Sequence, residues 1–399
     1  MIPDTFIVSA ARTPIGRYGG GLKSIHPAEL GAVAARAALE RAALDPDHID
    51  LGIVGHARQA GSGPNPARQV VRRTGLADRV PAWTVNQACA SGLQAVASAA
   101  QAIASGDAEV VLAGGIESMS RMPYLIDAED ARWGHKMGHF PLVDAMYRDG
   151  FQCSLSGLIM GETAELLARD YGITREASDA YALVSQQRAE AAICDGRFAE
   201  EIAPVRVPGA KGETTIAADE HPRPGTTIKA LRNLPLVFPE VDGRPGIITA
   251  GSSSGITDGG AAAIVASAAA VRDHGLRPLA RILGWSTVGV DPTRMGIGPV
   301  PAVRTLLDRL RLTLDDFDLV ELNEAFAPQV LAVLAELPIN RDRLNVNGGA
   351  IALGHPIGCT GTRILVTLIH EMRRREARRG LATLCVSGGI GMAMAVERC

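Results

Sequence analysis

Lysines, paired cysteines and long apolar runs are scarce in this sequence, and each scarcity excludes a class of protein. Only four of the forty basic residues are lysines and none follows a glycine, so there is no GxxxxGKS/T phosphate-binding loop. The six cysteines form no CxxC pair, which excludes zinc ribbons and a disulfide-dense scaffold. The longest apolar stretch, residues 261–271, is too short to cross a bilayer, which takes about 20 residues.

Metal and nucleic-acid functions are also disfavoured. His370 and Glu371 begin an HExxH-like pattern, but position 374 is Arg, so we expect no metal site. Forty basic residues against 43 acidic ones give a net charge of −3, which argues against a protein that wraps nucleic acid. The N-terminus has no basic segment followed by an apolar core. We therefore expect a soluble cytoplasmic protein that binds neither membrane nor nucleic acid.

Alternating strand and helix patterns dominate both ends of the chain and predict an α/β protein. The first 120 residues predict strands over 5–11, 51–55, 83–87 and 109–113, with helices over 27–44 and 91–105. After residue 280 the pattern returns, with strands over 281–287, 319–322, 344–347 and 382–386 and helices over 300–310, 325–337 and 360–375. Such alternation is typical of a parallel sheet covered on both faces.

The chain divides into four segments by composition. Residues 1–120 form one α/β half and residues 280–399 form another. Between them, residues 121–246 are richer in charged, proline and aromatic residues, which predicts an inserted loop domain with helices over 163–171 and 177–195. Residues 247–279 link the insertion to the second half. The VN pair at 85–86 recurs at 346–347 before another glycine-rich turn, which indicates a duplication; chance similarity of alanine-rich strands is the alternative.

Cys89 lies between a predicted strand and a predicted helix, in residues 85–93 (VNQACASGL). The free N–H groups and the dipole at a helix start favour an anion. A thiol there is expected to have a lowered pKa and to be a good nucleophile. The alternative is that Cys89 is a small buried hydrophobe, as most free cysteines are.

Three further side chains follow predicted strands or glycine-rich turns. His355 lies in residues 347–361 (NGGAIALGHPIGCTG), where five glycines let a ligand approach the backbone. Cys385 ends a predicted strand, and Asn323 follows another. The alternatives are that His355 is a structural histidine, that Cys385 is an inert cysteine and that Asn323 is a helix cap.

A competing motif is the pattern GxSxG at residues 251–255 (GSSSG), centred on Ser253. In serine hydrolases this pattern forms a sharp turn between a strand and a helix. Residues 256–260 (ITDGG) are a poor helix start, so the pattern gives weak support for a serine nucleophile.

Taken together, these motifs resemble the thiolase family, and the resemblance covers essentially the whole chain. Besides the Cys89 turn, it rests on residues 10–16 (AARTPIG), 115–120 (GIESMS), 160–165 (MGETAE), 219–225 (DEHPRPG), 249–255 (TAGSSSG), 323–326 (NEAF), 348–356 (GGAIALGHP) and the Cys385 strand. The fold that the resemblance implies is a duplicated α/β/α/β/α layered sandwich with the insertion as a loop domain over the active site.

The resemblance implies a catalytic role for four side chains. Cys89 is expected to carry the acyl group as a thioester, and His355 to take the Cys89 proton and to donate to the substrate's thioester oxygen. Cys385 is expected to move the proton at the α-carbon of acetyl-CoA. Asn323 is expected to hold a water in one oxyanion hole, and the backbone N–H groups of Cys89 and Ser387 to form the other.

The resemblance also implies binding residues and substrates. Ser254, Arg223 and Ala250 are expected to contact coenzyme A, and Met160 and Ile159 to border the acyl pocket. The expected reaction is condensation of two acetyl-CoA to acetoacetyl-CoA and the reverse thiolysis, with coenzyme A thioesters as substrates and no tightly bound cofactor. The family also implies a homodimer or homotetramer.

Two departures from the family pattern concern the site. Ser387 stands where glycine is usual, which is compatible with an N–H donor if φ at this residue is negative. Ile159 stands where members specific for acetoacetyl-CoA often have histidine. The alternatives that stay open are a thiolase of broader chain length, a serine hydrolase using Ser253, and a non-catalytic protein that binds CoA or lipid.

Overall fold

The computed structural model describes residues 4–210 and 212–399. The strands in chain order are β1 Thr5–Arg12, β2 Gly16–Arg17, β3 Leu51–His56, β4 Ala82–Val85, β5 Val110–Ser118, β6 Tyr124–Leu125, β7 Val143–Asp144, β8 Val205–Gly209, β9 Gly212–Ile216, β10 Glu240–Val241, β11 Arg244–Pro245, β12 Thr257–Ser267, β13 Ala280–Gly289, β14 Leu319–Leu322, β15 Arg379–Val386 and β16 Ile390–Arg398. The α-helices are α1 Pro27–Ala42, α2 Pro66–Thr74, α3 Ser91–Ser105, α4 Met160–Asp170, α5 Arg175–Cys194, α6 Ile228–Arg232, α7 Ala268–Asp273, α8 Pro299–Leu310, α9 Ala327–Glu336, α10 Ala350–Leu353 and α11 Ile357–Arg374.

The large sheet is mixed, so the prediction of a parallel sheet is wrong. Its strand order is β14-β15-β16-β13-β1-β12-β5-β3-β4, with β2 paired to β12. The pairs β14–β15, β3–β4 and β3–β5 are parallel, and the other neighbouring pairs on this path are antiparallel. Four of the five antiparallel pairs arise because β12 and β16, which the alternation pattern did not predict, each run between two of the predicted strands. The fifth is the β1–β13 pair that joins the two halves.

Strand order repeats in the two halves of the sheet, as a duplication requires. From the centre outwards, one half reads β1-β12-β5-β3-β4 and the other reads β13-β16-β15-β14. The halves join through a short antiparallel contact in which Phe6 faces Arg281 and Ile7 faces Ala280. At the outer edge of the second half, Leu344 makes a single parallel bridge to Val320, where the first half has β4.

The strand predicted over 344–347 is reduced to this bridge. Asn345 has a left-handed φ of 44°, which an extended strand does not allow. Its side chain is used instead to hold the neighbouring strand: Oδ1 accepts the Leu322 N–H at 2.9 Å, and Nδ2 donates to the Leu322 carbonyl at 2.8 Å.

Helices lie on both outer faces and between the halves, which gives the expected five layers. The helices α1 and α2 cover the first half, α8 and α9 cover the second, and α3 and α11 pack against each other in the middle. The central helices share one apolar core with strands of both halves. Apolar burial of this kind contributes about 25 cal/mol per Å² removed from water.

Glycines let the two central helices touch where they begin. A Cβ added to Gly92 of α3 would lie 2.8 Å from the backbone N of Thr362, and one added to Gly361 of α11 would lie 2.3 Å from the backbone N of Leu93. Real Cβ atoms do not approach this closely, so both positions require glycine. The contact brings the turn before α3, which carries Cys89, next to the turn before α11, which carries His355.

The segment 121–246 contains both predicted helices, α4 and α5, each beginning two or three residues earlier than predicted. The carboxylate of Glu162 accepts the Ile159 N–H at 2.7 Å, and Thr174 Oγ1 accepts the Ala177 N–H at 3.2 Å. These caps satisfy N–H groups that a helix start leaves free. Of the helices that the structure describes, none combines the length and apolarity that a membrane span needs.

Candidate active site

One cavity of about 490 Å³ gathers nearly all of the residues that the sequence predicted for the site. The predicted residues on its wall are Cys89, Ile159, Met160, Arg223, Ala250, Ser254, His355, Cys385 and Ser387. They come from both halves of the sheet and from the inserted segment. Asn323 is the predicted catalytic residue that does not line this wall.

Cys89 projects from a strained turn at the start of α3. Ala88, the residue before it, has a left-handed φ of 43°, which is unfavourable for a residue with a Cβ. Asn86 Oδ1 accepts the Ala88 N–H at 3.0 Å, and Ser91 Oγ accepts the Gln87 N–H at 2.9 Å and donates to the Ala88 carbonyl at 2.7 Å. These hydrogen bonds hold the strained turn, and the cysteine remains half-buried on the cavity wall.

The pKa of the Cys89 thiol is raised, so the prediction of a lowered pKa is wrong in direction. Burial of the sulfur is the largest cause, because it disfavours the thiolate. The charge of Arg58 and the N–H groups of Ser387 and Cys89 itself act in the opposite direction but are smaller. Cys89 is therefore a neutral thiol at rest and requires a base to become a nucleophile.

His355 is a neutral imidazole whose pKa is lowered to about 3, chiefly by burial and further by the charges of Arg363 and Arg58. Its Nδ1 lies 2.6 Å from Oγ1 of Thr360, and that hydroxyl donates to the Pro356 carbonyl at 3.0 Å. When the single proton of this hydroxyl is donated to the Pro356 carbonyl, Thr360 accepts from His355, and Nδ1 carries the imidazole proton. The lone pair is then on Nε2, the nitrogen that a base needs free.

Cys385 is buried at the end of β15, opposite Gly391 of β16. Burial raises the pKa of its thiol well above the usual value, and the next cause is the charge that Cys89 would carry as a thiolate. The two sulfurs are thus close enough to interact electrostatically. Cys385 is protonated at rest.

Ser387 follows this strand and its N–H is directed at Cys89. The next two residues, Gly388 and Gly389, have φ values of 87° and 81°, whereas φ of Ser387 is not positive. A serine is therefore compatible with the N–H donor role expected at position 387, because the left-handed part of the turn falls on the two glycines.

Asn323 is buried, and neither Nδ2 nor Oδ1 of its side-chain amide has a hydrogen-bond partner among the described residues. The alternative that Asn323 caps α9 is wrong, because Phe326 occupies the N-cap position. A buried amide without partners is costly, and ordered water or a ligand is the usual solution. The orphaned amide therefore fits the prediction of a residue that holds a water.

Glu324 fixes the backbone next to Asn323. Its carboxylate accepts hydrogen bonds from Tyr181 Oη at 2.8 Å, Ser185 Oγ at 2.7 Å, Asn345 Nδ2 at 3.0 Å and the Ile351 N–H at 3.1 Å. The network ties the NEAF motif to α5 and to the loop before His355.

Ser253 does not have the environment of a hydrolase nucleophile. Its hydroxyl donates to the Thr249 carbonyl at 2.8 Å, and the chain continues into the strand β12 rather than into a helix. Ser254 differs: its N–H donates to the Ala325 carbonyl at 3.0 Å, while its hydroxyl has no partner among the described residues. The Ser254 hydroxyl is thus available to a ligand in the cavity.

Several residues that line the cavity were not predicted from the sequence. His221 belongs to the motif at 219–225, from which only Arg223 was predicted; its Nδ1–H donates to the Ala352 carbonyl at 2.8 Å. Phe238 and Met295 supply apolar wall, and Arg58 supplies a positive charge. No motif surrounds Arg58 or Met295, and their positions depend on the assembled fold.

Comparisons with known proteins identify the family of the chain. Residues 5–269 match the family model of the thiolase N-terminal domain, and residues 276–398 match that of the thiolase C-terminal domain. The chain is 50% identical over 396 residues to the acetyl-CoA acetyltransferase of Cupriavidus necator, covering 99% of each chain. It is 50% identical over 392 residues to the acetyl-CoA acetyltransferase of Escherichia coli, covering 98% of each.

Solved structures show the same fold. Human mitochondrial 3-ketoacyl-CoA thiolase superposes with a TM-score of 0.95 at 44% identity, covering 100% of both chains. The Bacillus anthracis acetyl-CoA acetyltransferase superposes with a TM-score of 0.96 at 43% identity, covering 100% of this chain and 99% of the other. On the matched domains, the full-length relatives and the shared fold, this chain belongs to the thiolase family of enzymes.

Proposed function

We propose that the enzyme is an acetyl-CoA acetyltransferase, which condenses two acetyl-CoA to acetoacetyl-CoA and catalyses the reverse thiolysis. The observation that carries this proposal is the convergence of Cys89, His355 and Cys385 on one cavity of a thiolase fold. Relatives named acetyl-CoA acetyltransferase over their full length support the same substrates.

In the first half-reaction, Nε2 of His355 takes the proton of Cys89, and the thiolate attacks the carbonyl carbon of acetyl-CoA. The N–H groups of Cys89 and Ser387 stabilise the oxyanion, as aligned backbone donors do in acyl transfer. The C–S bond to coenzyme A breaks, and the leaving thiolate takes the proton of Cys385. This step leaves acetyl-Cys89, a Cys385 thiolate and a protonated His355.

In the second half-reaction, the Cys385 thiolate removes an α-proton from a second acetyl-CoA. The enolate oxygen is held by protonated His355 and by a water on the amide of Asn323. The enolate carbon attacks acetyl-Cys89, the Cys89 thiolate is expelled, and it recovers its proton from His355. The proton that Cys385 gives to coenzyme A is replaced by the α-proton of the second acetyl-CoA, so all three groups end in their starting protonation states and the cycle needs no reactant beyond the two thioesters.

Ser254, Arg223 and Ala250 are proposed to bind coenzyme A. The unpartnered hydroxyl of Ser254 supports its role, and all three residues share the cavity wall with Cys89. Met160 and Ile159 are proposed to border the acyl group, and their apolar side chains also favour a degradative thiolase of broader chain length as the second candidate. Each buried CH₂ of a longer chain is worth about 0.8 kcal/mol.

The segment 121–246 is proposed to form a loop domain over the site, with 247–279 as the link. Tyr147, Phe151, Met160 and Phe238 belong to this segment and line the cavity, which supports the proposal. We also propose a homodimer or homotetramer, which sedimentation velocity distinguishes.

Thiolysis of acetoacetyl-CoA by free coenzyme A tests the function. We expect wild type to form two acetyl-CoA per substrate consumed, Cys89→Ala to form none, and Cys194→Ala to match wild type because Cys194 is an exposed cysteine far along α5. Failure of folded wild type to cleave acetoacetyl-CoA would overturn the proposal.

A further inference from the structure

Arg58 places an unpaired positive charge in the wall of the active-site cavity. The residue is only 8% exposed, and it lines the cavity together with Cys89. Its Nη2 donates to the Gly150 carbonyl at 2.6 Å, which fixes the guanidinium, while Nε is buried without a partner. Within residues 4–210 and 212–399, no carboxylate lies within 4.0 Å of the Arg58 guanidinium to form an ion pair.

Glu117, which contacts the backbone of Arg58, does not pair with its guanidinium. Its carboxylate accepts the backbone N–H of Arg58 at 3.3 Å, the N–H of Gly358 at 2.9 Å and a contact from His56 Nε2 at 3.1 Å. Glu117 therefore holds the backbone of Arg58 and leaves its guanidinium free to face the cavity.

Arg12 shows what a buried arginine in this fold has when its role is structural. Its guanidinium is paired with Glu201 at 2.6 Å and with Asp219 at 2.7 Å. A buried charge is strongly disfavoured without such a partner. The missing partner of Arg58 is thus expected from a molecule that enters the cavity.

The geometry points to a carboxylate on the acyl chain as this partner: we propose that the enzyme accepts 3-ketoacyl-CoA substrates whose chain ends in a carboxylate that pairs with Arg58. The inference rests on the proposed function, since it concerns the acyl group that Cys89 carries. Arginine suits the task because its planar fork binds a carboxylate through two N–H groups. The apolar wall residues Met119, Phe151 and Ile357 would exclude water from the pair.

The chemistry of the cycle is unchanged for such a substrate. The Cys89 thiolate attacks the C3 carbonyl, the C2–C3 bond breaks, and the released carbanion takes the proton of Cys385 to leave as acetyl-CoA. Cys89 then carries a carboxyalkanoyl thioester, whose free carboxylate faces Arg58. Free coenzyme A takes the acyl group and restores both thiols.

Matched substrates test the proposal: 3-ketoadipyl-CoA and 3-ketohexanoyl-CoA have six-carbon acyl chains that differ only in the terminal carboxylate or methyl group, and a second pair one carbon longer extends the reach. We expect wild-type kcat/KM to be higher for the carboxylate member of at least one pair. Arg58→Leu should lower the carboxylate-to-methyl ratio by about tenfold to hundredfold, the range for a lost charged hydrogen bond. Arg58→Lys should keep part of the ratio.

Arg148→Leu is the matched control, since Arg148 is an exposed arginine of the neighbouring segment that pairs with Asp149. It should leave the ratio as in wild type. Melting temperatures establish that each variant is folded.

Two results would overturn the inference. One is a wild type that cleaves acetoacetyl-CoA but not the carboxylate-ended substrates. The other is an Arg58→Leu variant that loses activity on both members of a pair by the same factor, which would assign Arg58 to the CoA phosphates or to the reactivity of Cys89. No cleavage of acetoacetyl-CoA by wild type is a different failure, that of the proposed function itself.

Discussion

Replacing Thr360 by valine tests how the fold prepares His355 as a base. Thr360 is fully buried in the first turn of α11, and its hydroxyl is the partner of His355 Nδ1 at 2.6 Å. Valine has nearly the same shape, so the packing is kept and the hydroxyl is lost. The Pro356 carbonyl still accepts the N–H groups of Cys359 and Thr360, each at 2.9 Å. The imidazole is the group that loses its partner.

The expected magnitude follows from the burial of that nitrogen. A buried donor left without an acceptor costs about 1–3 kcal/mol. The neutral imidazole avoids this cost by moving its proton to Nε2, which removes the lone pair that takes the Cys89 proton. If the whole cost of about 1–3 kcal/mol falls on the Nδ1–H tautomer, which is the form with a free lone pair on Nε2, acetylation of Cys89 slows by about fivefold to about 150-fold.

Rapid-mixing measurement of Cys89 acetylation by acetyl-CoA provides the assay, with quenched samples analysed by mass spectrometry. Thr360→Ser keeps the hydroxyl and should restore the rate to within about threefold of wild type. A purely structural role of Thr360 would lower the melting temperature of Thr360→Val without changing the rate. A folded Thr360→Val variant that acetylates Cys89 as fast as wild type would refute the reasoning.

Three further outcomes follow from the site. Cys385→Ala should still accept acetyl on Cys89, because protonated His355 can return its proton to the departing coenzyme A thiolate. The variant should lose exchange of acetyl-CoA α-protons with solvent deuterium, measured by NMR; a variant that keeps this exchange but fails to acetylate Cys89 would reverse the two roles. Ser254→Ala should raise the KM for CoA esters by about twofold to tenfold, the value of one hydrogen bond, whereas Ser253→Ala should leave turnover nearly unchanged; loss of all activity in Ser253→Ala would favour a hydrolase. The pKa of His355 is about 3 in the folded protein against about 6.5 when unfolded, so its contribution to stability is lost as pH falls from 6.5 towards 3. Urea unfolding should show that wild type loses about 2 kcal/mol more than His355→Asn between pH 6.5 and pH 5, and equal losses would contradict the buried neutral imidazole.

The sequence was most informative where local patterns determine the structure. The turn of Cys89 and the helix after it were predicted because a strand, a small-residue turn and an apolar helical face follow one another within about 20 residues. The start of α11 was predicted three residues late, because the helix begins directly after Pro356 rather than at Thr360.

Strand direction and two central strands were missed because they depend on distant parts of the chain. β12 reads TDGGAAAIVAS, and a run of glycine and alanine has neither the alternation of a half-buried strand nor a high strand propensity. It is a strand because it pairs with β1 and β5. Gly260 also lets it lie against α1, since a Cβ there would lie 2.6 Å from the carbonyl of Leu30. These contacts join β12 to distant parts of the chain, so the local sequence does not indicate them.

Electrostatics of the site were the least predictable feature. The helix start at Cys89 was identified correctly, but its effect on the pKa of the thiol was overestimated, because burial in the assembled fold raises that pKa more strongly. Arg58 was missed for the same reason: nothing around it in the sequence indicates that it faces Cys89. Asn323 was found through the family resemblance, but the lack of hydrogen-bond partners for its side-chain amide is visible only in the folded structure.

The covalent role of Cys89 is the centre of this account, and capture of the acyl-enzyme tests it most directly. Wild type incubated with acetyl-CoA alone and quenched in acid should gain one acetyl group, and peptide mapping should locate it on Cys89. Adding free coenzyme A before the quench should remove the group and regenerate acetyl-CoA. An acetyl group found on Ser253 or on another cysteine, or turnover of acetoacetyl-CoA by Cys89→Ala, would contradict the account.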